Sequence, residues 1–180
     1  MGEMTKPRKA RDVFPFEEVL EQYRNEILAY LWRMFSGSPE AEDSFQETFM
    51  RAFRAYPELD QDANVRAWLY RIATNVARTR LKRNHRRENR EQEAARRTIL
   101  GGDPTHERVL DRLLWEQATA WIEALPVKQR AAFMLRKYQG CSYLEIGEAL
   151  GCSSGAARAN VYQALRKLKA LAEDSKVEYQ

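Results

Sequence analysis

The chain has 180 residues, enough for one domain or two small ones, and its 30 Lys and Arg against 26 Asp and Glu give a formal net charge of +4. No apolar run approaches the length of a bilayer span, and the charged N-terminus lacks the apolar segment of a secretory signal. The two cysteines and two histidines do not have the spacing of a zinc site. We therefore expect a cytoplasmic protein with free thiols and no metal or other cofactor.

Charge is distributed unevenly along the chain. Acidic residues predominate between Ser38 and Asp62, and basic residues predominate between Arg66 and Arg97. This asymmetry predicts two surfaces with different partners, one of which is a polyanion.

Two amphipathic helices are predicted in the first third of the chain. The first covers residues 15–35 and ends at a Ser-Gly-Ser-Pro cluster. Ser38 suits the cap of the second helix, residues 39–56, and Pro39 suits its first position. The second helix should expose the carboxylates of its first half, where the helix dipole favours negative charge. It should bury Ala41, Phe45, Phe49, Ala52 and Phe53.

A third helix begins after Asn64, whose side chain can cap it, and combines an apolar stripe with a basic face. The stripe consists of Val65, Trp68, Leu69, Ile72 and Val76, and the opposite face carries Arg66, Arg71, Arg78 and Arg80. Basic residues continue beyond the stripe, and Trp68, Tyr70 and Asn75 lie among the cations. This mixture suits binding of a phosphate backbone and unstacked bases. An ordinary solvated charged face is the alternative.

The chain then changes character. Residues 13–87 are predicted to form one helical domain, and residues 88–106 a linker, helical in part, that contains Gly-Gly-Asp-Pro. A second domain, residues 107–174, opens with a helix whose stripe includes Val109, Leu110, Leu113, Leu114, Trp121 and Leu125.

The second domain ends in a predicted helix-turn-helix. A helix over residues 127–138 ends at Gly140, and Ser142 with Glu145 forms a capping box for a short helix that ends at Gly151. A long helix, residues 154–173, follows, with Val161, Leu165, Leu168 and Leu171 predicted inward. Its first turns would present Ser154, Ala156, Ala157, Arg158 and Asn160 to DNA bases. An ordinary pair of packed helices is the alternative.

Two segments resemble a known family. The strings AEDSFQETFMRAFRAY, residues 41–56, and VRAWLYRIATNVARTRLKR, residues 65–83, resemble region 2 of bacterial sigma-70 factors. LPVKQRAAFMLRKYQGCSYLEIGEALGCSSGAARANVYQALRKLKAL, residues 125–171, resembles region 4. With no third domain between them and no extension before the first, the chain resembles the extracytoplasmic-function (ECF) group. The resemblance implies an all-α fold of two small helical domains joined by a flexible linker.

The resemblance also implies roles for residues of the first domain. The acidic helix would dock on the clamp helices of the RNA polymerase β′ subunit, with the site residues Asp43, Gln46, Glu47 and Phe49. Core packing is the alternative for Phe49. The loop over residues 56–64 and the basic helix would hold the unwound −10 element, with Asn75 near a base and with phosphate contacts from Arg66, Arg71, Arg78 and Lys82.

In the second domain, the helix-turn-helix would read the −35 element through Ser154, Ala156, Arg158, Asn160 and Arg166. Many family members have G-T-V-K-S-R where residues 155–160 read G-A-A-R-A-N. The preferred −35 sequence therefore cannot be taken from other members. Arg158 to guanine and Asn160 to adenine are the pairings that geometry favours. The linker would run near the polymerase active-site cleft and the RNA exit path.

The implied function is that of a promoter-specificity subunit. Its partners would be the β and β′ subunits of core RNA polymerase and promoter DNA, and the sequence leaves open whether an anti-sigma factor binds. A stand-alone helix-turn-helix regulator is the alternative, although it has no use for the acidic helix. An enzyme is not expected, because no nucleophile–base pair, phosphate loop or metal cluster is evident. Cys141 and Cys152 could form a redox switch, with ordinary packing as the alternative.

Overall fold

The computed structural model describes residues 15–95 and 116–177. In these residues the chain forms seven α-helices and no strand, which confirms the predicted all-α class. The helices are α1 (Phe16–Met34), α2 (Glu40–Ala55), α3 (Val65–Ala95), α4 (116–123), α5 (Val127–Lys137), α6 (Tyr143–Leu150) and α7 (Ser154–Val177). A 3₁₀ turn, Tyr56–Glu58, follows α2. None of the described helices is both long enough and apolar enough to cross a membrane.

The first three helices pack against one another as a bundle. Ile27 and Leu31 of α1 and Leu69 of α3 are fully buried in its core. The hydroxyl groups of Tyr30 and Thr74 share a buried hydrogen bond of 2.8 Å, so these two polar groups of the core are paired. The bundle thereby fixes which face of α3 remains outside.

Local capping signals account for several helix boundaries. The Asn64 side chain accepts the Ala67 N–H at 3.0 Å, as predicted for the start of α3. Helix α2 begins one residue later than predicted, and the Ser38 hydroxyl lies 3.4 Å from the Glu40 N–H. Helix α3 continues to Ala95, through the first part of the predicted linker. The remainder of that linker and the predicted apolar stripe from Val109 to Leu114 lie outside the described residues.

The helix-turn-helix is built from a capping box and one close backbone approach. The Ser142 hydroxyl accepts the Glu145 N–H, and the Glu145 carboxylate accepts the Ser142 N–H at 2.8 Å, as the sequence predicted. Helix α6 ends at Gly151 in the left-handed conformation, with φ of 62°. A Cβ atom on Gly147 would lie 2.7 Å from the Cys152 carbonyl oxygen. The turn can therefore pack on α6 only because residue 147 lacks a side chain.

Three packing predictions were wrong. Tyr70, predicted among the cations, is 1% exposed, because its ring packs edge-on against Tyr30 and its hydroxyl donates to Glu26 at 2.6 Å. Phe53, predicted as core, is 59% exposed and contacts Phe16 only by its ring edge, with centroids 5.4 Å apart. Leu165 is also exposed, because small residues form the inner face of α7. That face consists of Ala157, Val161 and Ala164.

The two predicted domains pack against each other, which the sequence did not indicate. Helix α3 lies against α6, and α1 lies against α5. The buried Arg130 of α5 donates to the Met34 carbonyl oxygen at 2.7 Å, and Arg33 lies over the ring of Tyr138 at 4.9 Å.

Both cysteines are free thiols. Cys141 is buried at this junction, and burial raises its pKa to about 11, so the thiol stays protonated at neutral pH.

Candidate nucleic-acid interface

Four of the five predicted −10 residues form a ridge along α3. Arg71, Asn75, Arg78 and Lys82 follow one another at helical spacing and are all exposed. Arg71, Asn75 and Arg78 also line a groove of about 280 Å³ that Lys128 and Gly151 border from the second half of the chain. The structure thus brings three cations and one amide to a single surface, with a further lysine close by.

Arg66, the fifth predicted residue, occupies a different environment. Its Nε donates to Glu26 at 2.7 Å, its Nη1 to Glu145 at 3.2 Å, and its Nη2 to the Gln139 carbonyl at 2.6 Å. The hydrogen bonds that Arg66 donates to Glu26 raise the pKa of the guanidinium above its ordinary value, against the opposing effect of burial. A DNA phosphate would have to replace at least one of these partners.

Arg71 also contacts the second half of the chain. Its Nε donates to the Glu148 carbonyl at 3.0 Å, although the side chain remains exposed. Part of the predicted −10 surface therefore lies against α6. Sequence reasoning missed this arrangement, because contacts between residues 77 and 79 positions apart leave no local pattern.

Three of the four residues predicted to dock on the polymerase lie together at the surface of α2, and Phe49 does not. Asp43 and Gln46 are exposed, and Arg80 bridges Asp43 at 2.9 Å and Glu47 at 3.3 Å. Partial burial opposes ionisation of Glu47, but hydrogen bonds from Arg51 and Arg80 outweigh it and lower the pKa of this carboxyl. The Glu47 carboxyl is therefore charged at neutral pH.

Phe49 does not belong to that surface. It is 7% exposed, and its ring packs against Phe45 with the centroids 4.8 Å apart, so core packing is its observed role. Met50 and Phe53 are 56% and 59% exposed and form the apolar part of the exposed face of α2. Neither residue was assigned to that face from the sequence. The signal was available, because Met50 and Phe53 follow Gln46 at helical spacing.

Most of the predicted −35 residues lie on the open side of α7. Ser154, Ala156, Arg158 and Arg166 are exposed. Asn160 is half-buried, and its side chain donates to the Ala156 carbonyl at 2.9 Å, so its amide is already engaged. Ala157, which was predicted to face DNA, is fully buried.

Two further residues beside Arg158 were missed. The ring of Tyr143 lies beneath its guanidinium, with the carbon 5.0 Å from the ring centroid, and Arg136 approaches the same ring at 4.7 Å. These residues belong to α5 and α6, so nothing in the pattern of α7 points to them.

Comparison with known proteins decides the family. The Sigma-70 region 2 model matches residues 19–87, and the Sigma-70 region 4 model matches residues 115–168. ECF RNA polymerase sigma factor SigW of Bacillus subtilis is 30% identical, over 88% of this chain and 91% of its own length. The chain belongs to the ECF group of sigma-70 factors. RNA polymerase sigma-H factor of Pseudomonas aeruginosa is also 30% identical, over 83% of this sigma factor and 81% of its own length.

Other relatives are longer, and the fold recurs in solved structures. This sigma factor spans 60% of the length of ECF sigma factor SigE of Mycolicibacterium smegmatis, at 29% identity over 86% of the chain. CnrH, solved in complex with the cytosolic domain of CnrY, superposes with a TM-score of 0.60 at 27% identity, covering 88% of each chain. The sigma factor RpoE of Bartonella quintana shares the fold, with a TM-score of 0.62 at 23% identity over 88% of this chain and 96% of its own.

Proposed function

We propose that this sigma factor binds core RNA polymerase in the cytoplasm and directs it to promoters, without catalysis of its own. The unit formed by α1–α3 docks on the polymerase and holds the melted −10 element, and the helix-turn-helix reads the −35 element. The observation that carries this proposal is the exposed ridge of Arg71, Asn75, Arg78 and Lys82 within the segment that matches region 2. A stand-alone regulator is less favoured, because it would not need that segment.

The melting role is tested at Asn75, an exposed amide between two cations of the ridge. Asn75→Ala should lower open-complex formation on a duplex promoter more than on a pre-melted bubble, because the contact forms only with unwound DNA. Permanganate reactivity of thymines measures opening in both templates. Asn25→Ala, which alters an exposed asparagine of α1, is the matched control. Equal losses on both templates would contradict the melting role.

The docking role is tested on the acidic face of α2. Asp43→Lys combined with Glu47→Lys should weaken binding to core polymerase at least tenfold, because it reverses charges that suit a basic partner. The fall should be steepest at low salt, where charge attraction is least screened. Competition against a labelled sigma factor measures the affinity.

The control for this experiment is Glu17→Lys with Glu18→Lys, which makes the same change of charge on the exposed start of α1. Circular dichroism verifies that both double variants fold. Undiminished core binding by a folded α2 variant would exclude this face as the docking surface.

A protein antagonist is a further proposed partner. Support comes from CnrH, which was solved in complex with a cytosolic protein domain and is 27% identical to this chain. An anti-sigma factor for this chain would lower transcription by competing with core polymerase. Added core should relieve its effect.

A further inference from the structure

Three side chains from three helices meet at the opening of the helix-turn-helix. Tyr143, the first residue of α6, is half-buried, and the exposed Arg136 and Arg158 lie over its ring at 4.7 Å and 5.0 Å. Arg136 also donates to the Cys141 carbonyl at 2.9 Å. The backbone that carries the ring is held in place, because the capping box of Ser142 and Glu145 stabilises the first turn of α6.

The cluster concentrates positive charge without neutralising it. Neither arginine forms an ion pair within the described part of the chain, whereas Arg66 and Arg80 each contact two carboxylates. The electron-rich face of the tyrosine ring offsets the repulsion between the two guanidinium groups. A polyanion is the ligand that such an uncompensated pair attracts.

The position of the cluster matches the geometry of helix-turn-helix recognition. The N-terminal turns of the recognition helix enter the major groove, and the preceding helix crosses the DNA backbone. In the first two turns of α7, Arg158 is the one cationic side chain among Ser154, Gly155, Ala156, Ala157, Ala159, Asn160 and Val161. Sequence reading by these turns therefore depends on how well the long side chain of Arg158 is held.

We propose that Tyr143 positions the Arg158 guanidinium toward a base edge and that Arg136 contacts the adjacent DNA phosphate. This inference rests on the proposed reading of the −35 element by α7. A guanidinium stacked on a ring keeps its planar N–H fork free at its edge, which is the geometry of a bidentate contact with guanine. Arg136, at the end of α5, is anchored to the main chain on one side and open on the other.

The test uses holoenzyme reconstituted from core polymerase and the full chain. Transcription from a promoter library randomised in the −35 region, followed by sequencing of the transcripts, measures base preference at every position. Tyr143→Leu should lower the preference about two- to fivefold at the position that Arg158→Ala also affects, in proportion to an exposed cation–π contact. Tyr143→Phe retains the ring and should keep the preference.

Two further variants separate the roles. Adding Tyr143→Leu to Arg158→Ala should cause no further loss of preference, because the ring acts through Arg158. Arg136→Gln should weaken all promoters alike and reduce the salt dependence by about one phosphate contact.

Each outcome decides between the proposals. A wild-type holoenzyme without any −35 preference would overturn the proposed function of α7. A normal wild-type preference that Tyr143→Leu leaves equal to that of Tyr143→Phe would overturn the positioning role alone. A change of preference at a single base in Arg136→Gln would overturn the phosphate assignment. If Tyr143→Leu does not fold, Tyr143→Met supplies the same loss of the ring.

Discussion

Arg130 shows how one residue can join two parts of a molecule without a salt bridge. Its guanidinium donates to the carbonyl oxygens of Ile122, Glu123 and Met34 at 3.1, 2.7 and 2.7 Å. These carbonyls end α4 and α1, where the helix dipoles place partial negative charge. Burial lowers the pKa of Arg130 from its ordinary value, yet the three acceptors keep the cation satisfied.

At this scale we predict that Arg130→Met lowers the free energy of unfolding by about 2–4 kcal/mol, because it leaves several buried carbonyls without a donor. Urea denaturation of the full chain, followed by circular dichroism, measures the loss. Lys128→Met makes the same substitution of a cation at an exposed position two residues away and should change stability by less than about 0.5 kcal/mol. Equal stability of the two variants would mean that water replaces the guanidinium.

At the scale of the element, α6 depends on the absence of a side chain at Gly147. We predict that Gly147→Ala destabilises the protein by about 1–3 kcal/mol, because the new methyl group would meet the Cys152 carbonyl. Helix propensity alone predicts the opposite sign, since alanine favours a helix by about 1 kcal/mol over glycine. Thermal unfolding distinguishes the two expectations.

The neighbouring substitution Glu148→Ala serves as the control for Gly147→Ala. It changes an exposed side chain of the same helix and adds no atom against the turn that follows α6. A Gly147→Ala variant as stable as this control would show that the turn can move away from α6 at little cost.

The sequence predicted elements well where the signal is local. Asn64, the capping box at Ser142 and the two terminating glycines act within a few residues, so they predict helix boundaries directly. Periodicity was less reliable for burial, because it identifies a face without identifying what covers it. The ring of Tyr70 packs against the ring of Tyr30 and is buried, whereas Phe53 lies at the edge of the bundle and is exposed. Two of the three buried residues on the inner face of α7, Ala157 and Ala164, are alanines, which a search for large apolar residues overlooks.

The candidate site also has a part that the sequence predicted and a part that it did not. Exposed cations at helical spacing were predictable along α3, and so was the open side of α7. The partners of Arg66 and the ring beneath Arg158 come from distant parts of the chain. Such contacts depend on how whole helices pack, and a single sequence does not encode them as a pattern.

At the scale of the whole molecule, the packing of α3 against α6 competes with the proposed DNA contacts. Arg66 cannot keep its hydrogen bonds to Glu145 and Gln139 while it binds a phosphate with the same N–H groups. We predict that the two halves separate when the sigma factor binds core polymerase and promoter DNA. Energy transfer between dyes at Glu21→Cys and Gln163→Cys, in a Cys152→Ser background, should therefore fall on complex formation.

A second pair of labels controls for changes within one half. Dyes at Glu21→Cys and Glu42→Cys both lie on the first bundle, and their energy transfer should stay constant. Unchanged transfer for the first pair in an active holoenzyme would show that promoter binding leaves the packing of α3 on α6 intact.

The two contacts between the halves of the molecule, α3 against α6 and α1 against α5, differ in their sensitivity to ionic strength. The Arg66–Glu145 pair is about a quarter exposed on both side chains, so mobile ions can screen it. The Arg130–Met34 contact is buried and has a neutral acceptor, so salt has little effect on it. Rising salt concentration should therefore weaken the contact between α3 and α6 first, while α1 and α5 stay packed together. The molecule would then open along the contact between α3 and α6, which frees the side chains of Arg66 and Arg71 for DNA.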